Sequence, residues 1–356
     1  MTETRFLVFA DSRFLGRASK ELRAIFEMDG YKKFSLDYDR AFIAAIGLEP
    51  SSVIEKMGRM KPVFVEGIVP IEAEAGYSAG SFDEIVAAAA ELLDKGKRFR
   101  IEVKKIIPNF EGSAKAIEVL LGRKLEEIGF RADLKDPDDI VYVVLSDKAF
   151  IGRVSRKLAY SKVIDAFRHA NKEAGSAISR AEFKLAEAID FFEIDINEMK
   201  LCLDLGAAPG GWSALMMRSG SQVIAIDNAD LDYEMLSKLG RVEITDAKVS
   251  APEEWNLLHI KANVRDVSPK SLDWVGDVDA LLVDMNIEAK ESAAIAERFA
   301  PLLRSRGILI LTIKLVDNNI DAHIGNAKAA LKSFNDVRIK KLPHNRWELT
   351  LFARKI

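Results

Sequence analysis

The segment 201–213, Leu-Cys-Leu-Asp-Leu-Gly-Ala-Ala-Pro-Gly-Gly-Trp-Ser, constrains the fold of this chain more than any other. Leu201–Leu205 reads as a short, buried parallel strand. Gly206, Pro209, Gly210 and Gly211 follow in a turn too tight for ordinary side chains, and a helical pattern begins at Trp212. Strand, glycine turn and helix is how a doubly wound sheet offers backbone N–H groups to a nucleotide-like ligand. Glycine is expected there because a Cβ would keep the backbone away from the ligand. The next apolar run, 222–226, leads into Asp227, 21 residues beyond Gly206, where a carboxylate can take two ribose hydroxyls. The turn lacks the Gly-x-Gly-x-x-Gly spacing, and no Gly-Lys-Ser follows it, which weakens NAD and ATP as ligands.

The pattern around this motif sets the organisation. From about 176 to 356, strand and helix alternate, with strands expected over 201–205, 222–226, 241–245, 279–283 and 308–313 and a closing pair over 336–342 and 347–353. This suits an α/β domain with a mostly parallel sheet and one antiparallel edge strand. Residues 1–80 read as a small α+β unit of ferredoxin-like type, with strands over 5–10, 41–46 and 62–72 and a helix over 18–28. Residues 81–154 form a second α+β unit. It has a helix over 81–94 opened by a Ser81–Glu84 capping box, a strand over 98–104, a helix over 113–128 and a strand over 140–145.

A basic linker over 155–178 would then lead to a catalytic domain over 179–356. Net charge is −3, so any polyanion contact must come from a local patch. Between residues 153 and 184, Arg153, Arg156, Lys157, Lys162, Arg168, Lys172, Arg180 and Lys184 outnumber three acidic residues; a solvated connector helix would carry the same charges. The single cysteine, Cys202, sits in an apolar strand and reads as a small buried side chain. No apolar run approaches the roughly 18 residues a membrane span needs, and the N-terminal residues do not resemble a secretory signal, so a cytoplasmic protein is expected.

Four segments carry polar residues in suggestive places. Asp284 ends the apolar run 279–284, Lys314 ends the run 307–314, Glu348 lies within 344–351, and Lys184 lies within 179–187. Ligands of α/β sheets gather at the carboxyl ends of parallel strands, where Asp204, Asp284 and Lys314 would lie. Taken singly, each residue also suits a turn or an exposed face.

Together these segments resemble the FtsJ-like RNA ribose 2′-O-methyltransferases, whose cofactor loop reads Asp-Leu-Gly-x-x-Pro-Gly-Gly-Trp/Phe-Ser/Thr; residues 204–213 match every defined position. The resemblance implies a class I, Rossmann-like methyltransferase domain using S-adenosyl-L-methionine and no metal. It places Asp204, Gly206, Ala207, Pro209, Gly210, Gly211, Trp212, Asp227 and Asp284 around the cofactor. It also implies a Lys-Asp-Lys-Glu catalytic set of Lys184, Asp284, Lys314 and Glu348. A ribose hydroxyl is a poor nucleophile, and a lysine can activate it if its ammonium is destabilised by burial or by a second cation. Lys314 is therefore expected as the base or activating amine, with Asp284 holding it, Lys184 lowering its proton affinity and Glu348 orienting Lys184 or the ribose.

One departure concerns the adenine. Where the family carries an acidic residue after the third strand, this chain has Asn263, with Asp266 as a second candidate in an unusually long segment, 246–271. Trp255 and His259 in that segment are candidate RNA contacts, packing being the simpler reading for the tryptophan. Residues 99–103, 112–117, 119–125 and 136–144 resemble a THUMP domain, an RNA-binding module, and the basic residues 153–180 extend that expectation. Within the FtsJ-like family, the branch acting on large-subunit ribosomal RNA cytidine is the most similar. Ribosomal RNA is the expected substrate and transfer RNA the alternative. An RNA-binding assembly factor with a vestigial methyltransferase fold is a third reading, and a small-molecule or protein methyltransferase, which would use the same cofactor loop, a fourth.

Overall fold

A computed structural model describes residues 3–36, 40–78, 81–106, 112–156, 177–246 and 254–356. The chain divides into two units, Met1–Ser161 and Lys162–Ile356. Among the described residues, no helix is long and apolar enough to cross a membrane.

The first unit holds two sheets. Strands β1 (Thr4–Phe9), β2 (Lys32–Ser35), β3 (Ala41–Ile46) and β4 (Gly67–Pro70) align in the order β2-β3-β1-β4, with helices α1 (Leu15–Ile25) and α2 (Pro50–Met60). The second sheet comprises β5 (Ala73–Ala75), β6 (Arg98–Lys105), β7 (Arg131–Ala132), β8 (Asp139–Leu145) and β9 (Ala149–Ser155), in the order β5-β9-β8-β6-β7. Its helices are α3 (Asp83–Leu92) and α4 (Ala114–Glu127). Leu7, Phe9 and Val69 of one sheet share a core with Ile140, Tyr142 and Phe150 of the other. A Cβ at Gly152 would overlap the Pro70 carbonyl, so β9 passes β4 at backbone contact only because that residue is glycine.

Local chemistry explains the helix starts. Ser113 caps α4 by accepting from the Ala116 N–H at 3.1 Å. The capping box expected at Ser81 is absent. Glu84 instead accepts from the Gly76 N–H at 2.9 Å, and the Ser81 hydroxyl turns to Asp83. A tertiary donor has taken the carboxylate that a box would have needed. Helix α2 was not expected; Pro50 at its first turn starts it, and Val53, Ile54 and Met57 are its buried face.

The second unit is one eight-stranded sheet flanked by helices. In chain order it comprises α5 (Arg180–Phe191), β10 (Leu201–Leu205), α6 (Gly211–Arg218), β11 (Gln222–Asp227), α7 (Tyr233–Ser237), β12 (Val242–Thr245), β13 (Leu257–Lys261), β14 (Val278–Val283), α8 (Ala289–Phe299), β15 (Leu303–Lys314), α9 (Ile320–Ala330), β16 (Phe334–Lys340) and β17 (Glu348–Lys355). Spatial order is β12-β13-β11-β10-β14-β15-β17-β16. Neighbours are parallel throughout, except that β17 runs antiparallel to both β15 and β16; the antiparallel strand is therefore not at the edge as expected, because the chain places β16 outside it.

One strand was misplaced by the sequence pattern. The partner of β11 is β13, which was not expected; the run expected as third strand, β12, lies outside it at the sheet edge. This accounts for the long segment after residue 246, because it contains a strand. The chain leaves β10 toward β11 and later returns to β10's other side as β14, so the switch point opens between β10 and β14 at their carboxyl ends.

Candidate active site

The glycine turn sits at that switch point. Gly206 has φ of 79° and Gly210 φ of 108°, both in the left-handed region that favours glycine. Their neighbours are the protein itself. A Cβ on Gly206 would lie 2.6 Å from Met285 Cγ, and one on Gly210 would lie 2.9 Å from Leu236 Cδ1. A Cβ on Gly211 would overlap the Ser179 hydroxyl, where α6 meets the start of α5. The glycines are thus demanded by backbone conformation and close internal packing, not only by room for a ligand. Trp212 is buried, and its indole N–H donates to the Ala181 carbonyl at 2.7 Å, tying α6 to α5.

Beside the turn lies a cleft of about 270 Å³ lined by Gly206, Asp227, Asn228, Asn263, Asp284 and Met285, among others. A small recess of about 30 Å³ adjoins it, bounded by Asp204, Ala207, Pro209, Gly211 and Trp212 and sharing Gly206 and Asp284. Asp227 is fixed at the rim: its carboxylate accepts from the Ala208 N–H at 3.0 Å and the Ala229 N–H at 2.9 Å. The Asn263 side-chain oxygen accepts from the Arg265 N–H at 3.0 Å and keeps a second lone pair. Asn263 therefore lines the cleft, whereas Asp266 is exposed and does not. Asp204 is buried, with Oδ2 accepting from the Ser213 hydroxyl at 2.7 Å. Burial, reinforced by the charges of Asp284 and Asp227 and opposed only by Ser213, pushes its pKa up to about 7.

Four ionisable side chains close a ring at one end of the cleft. Lys184 Nζ lies 2.8 Å from Asp284 Oδ2 and 2.9 Å from Glu348 Oε1. Lys314 Nζ lies 3.0 Å from Asp284 Oδ1 and 2.6 Å from Glu348 Oε2. Each amine thus bridges both carboxylates, and signs alternate around the ring. Topology explains the meeting. Lys314 is the last residue of β15 and Glu348 the first of antiparallel β17, and the two are paired in register. Asp284 follows β14 directly, and Lys184 descends from α5.

Electrostatics differ from the expectation. Burial favours a neutral Asp284, but Lys184 and Lys314 outweigh it and hold the carboxyl below its ordinary range. Burial likewise lowers Lys314, and Asp284 and Glu348 overcome that, so its ammonium sits above the ordinary lysine value. The expected lowering of Lys314 by Lys184 is not met, because the carboxylates between the amines dominate.

Other expected contacts lie elsewhere. His259 is buried, with its ring nitrogens 2.7 Å from the Tyr233 hydroxyl and 3.0 Å from the Asp227 carbonyl oxygen, so it braces β11 from within. Trp255 is partly buried, and its carbonyl accepts from the Gln222 amide at 2.9 Å. Arg153 pairs with Asp139 and Arg156 with Asp136, inside the first unit. Arg180 is exposed at the start of α5, and Lys157, Lys162, Arg168 and Lys172 lie outside the described residues. The sequence reading missed Asn228, Met285 and Arg265 as cleft-lining residues; Arg265 is paired with Glu291 at 2.6 Å.

Sheet order, the single antiparallel strand and a glycine-turn cleft at the switch point give the second unit a Rossmann-like methyltransferase fold. More narrowly, residues 177–328 match the FtsJ-like methyltransferase family. Ribosomal RNA large subunit methyltransferase M of Marinobacter nauticus is 28% identical over 192 residues, covering 51% of this chain and 48% of that protein. The protein of the same name from Methylococcus capsulatus is 28% identical over 190 residues, again 51% and 48% of the two chains. An uncharacterized protein of Methanocaldococcus jannaschii is 25% identical over 186 residues, 50% of this chain and 47% of its own. The chain spans about half the length of the relatives it matches.

Proposed function

We propose that this protein is an S-adenosylmethionine-dependent RNA ribose 2′-O-methyltransferase acting on ribosomal RNA, with its first unit, including a THUMP-like region, helping to select the RNA. The observation that carries this reading is the closed Lys184–Asp284–Lys314–Glu348 ring beside a cleft walled by Gly206, Asp227 and Asn263. The cleft suits a nucleoside: the Asp227 carboxylate can accept from a ribose diol and the Asn263 oxygen from an adenine amine. When bound, S-adenosylmethionine supplies an electrophilic methyl group.

The ring's work is on the hydroxyl. Each ammonium spends two of its three N–H groups on Asp284 and Glu348, leaving one to hold a hydroxyl oxygen in place. Because both carboxylates keep the proton on Lys314, its resting amine is a donor. It accepts the hydroxyl proton only after Nζ has lost its own. Asp284 and Glu348 fix Lys314 Nζ in position, which supplies orientation as well as charge.

The test is transfer of labelled methyl from S-adenosylmethionine to total ribosomal RNA and, separately, to total transfer RNA, with nuclease mapping of the product. An alkali-resistant labelled dinucleotide from ribosomal RNA is the expected result. The same product from transfer RNA alone would change the substrate and keep the chemistry. No label in either pool, with S-adenosylmethionine bound, would overturn the proposal in favour of an assembly factor or a non-RNA substrate.

A further inference from the structure

Helix α5 touches the segment before β17 on both sides of Lys184. The Glu187 carboxylate, fully buried, accepts from the His344 backbone N–H at 2.9 Å and lies 2.7 Å from His344 Nδ1. The His344 ring stacks on Phe183, with centroids 5.0 Å apart and planes at 26°. Phe183 and Glu187 are residues i−1 and i+3 to Lys184, so His344 docks into a notch that brackets the lysine. His344 in turn lies four residues before Glu348. A second clamp acts on the same segment, where the buried Lys341 ammonium donates to the Leu342 and Asn345 carbonyls.

We propose that His344, held by Glu187 and Phe183, is a positioning residue that sets the Lys184 helix against the Glu348 strand and so keeps the ring closed. The inference rests on the ring being the catalytic set. Three of the ring's members sit on or directly after strands of one sheet, where register fixes them, whereas Lys184 arrives from a helix. That helix packs on α6 through Trp212 and the Glu182–Arg218 pair and buries Leu185 and Ala188, but no strand register fixes it. His344 adds the constraint beside Lys184 itself. It acts through Lys184 and has no part in proton transfer.

The experiment compares His344→Phe, which keeps the stack on Phe183 and removes the Nδ1 donor, with His344→Asn, which restores a donor near the Nδ1 position. Each is made in the wild type and in Lys184→Ala, and kcat, RNA KM, S-adenosylmethionine affinity and thermal stability are measured. His344→Phe is expected to lower kcat tenfold or more at unchanged KM and cofactor affinity, and His344→Asn to recover most of it. In the Lys184→Ala background His344→Phe should cost nothing further. Equal losses in both backgrounds, or full kcat in His344→Phe, would overturn the inference. If His344→Phe proves unstable, Glu187→Gln carries the same test. A wild type without methyl transfer would instead defeat the functional reading, which separates the two failures.

Discussion

Two carboxylates at the carboxyl end of the sheet, Asp204 and Asp284, occupy similar places and meet opposite fates. Asp204 is the penultimate residue of its strand, with only Ser213 to hydrogen-bond it, and burial pushes its pKa up to about 7. Asp284, one strand over, meets two ammonium groups and stays ionised below the ordinary range. Burial is common to both, so the number and charge of partners decides. A buried aspartate near a strand end thus holds its proton toward neutrality in one position and is half of an ion network in the next.

The largest effect should come from Lys314→Ala. Loss of the amine is expected to lower methyl transfer by about 10³-fold, with S-adenosylmethionine affinity nearly unchanged in calorimetry. A large loss of cofactor binding would show that the ring belongs to the cofactor site instead.

Next comes stability. Asp284→Asn leaves two partly buried amines sharing the one remaining carboxylate, Glu348, and should cost about 3 kcal/mol in denaturant unfolding. Asp204→Asn should have the opposite sign at neutral pH. The folded pKa of Asp204 lies above its ordinary value of 3.8, so the folded state holds its proton longer than the unfolded chain does. The stability linked to that proton is complete below 3.8 and lost as pH rises to about 7. Asp204→Asn should therefore gain Tm relative to wild type between pH 5 and pH 8, while Asp284→Asn loses at both. Parallel behaviour of the two variants would break the contrast.

Per step, the smallest effect is the pH profile. With Lys314 raised above its ordinary value, the neutral amine is scarce, and kcat should climb about tenfold per pH unit from pH 6 to 9. A plateau near neutrality would mean that the proton leaves by another group.

Much of the second unit was legible in sequence. The strand Leu201–Leu205 and its turn read directly, because apolar alternation and glycine act locally. Asp284 and Lys314 were legible for the same reason, each closing an apolar run. Their meeting with Glu348 was expected only through the family resemblance, because it depends on the β15–β17 register, a pairing of residues 34 apart that no local pattern encodes. Strand β13 was missed because His259 interrupts its apolar run, and only the structure reveals Tyr233 and the Asp227 carbonyl satisfying that ring. The Ser81 cap failed for a related reason, since the Gly76 N–H, outside the helix and eight residues back, competes for Glu84. The Glu187–His344 contact joins residues 157 apart and gave no signal at all.

The alternation of signs around the ring has a consequence at long range. Two positive and two negative charges at the corners of a small square have no net charge and little dipole, and their field decays far faster than that of a single ion. A polyanion diffusing toward the cleft would feel almost nothing from this site until its own hydroxyl touched an amine. Removing either lysine would turn a silent quadrupole into a net negative charge facing the polyanion. A lysine variant would then repel at a distance as well as fail at contact, and added salt would relieve the first fault and not the second.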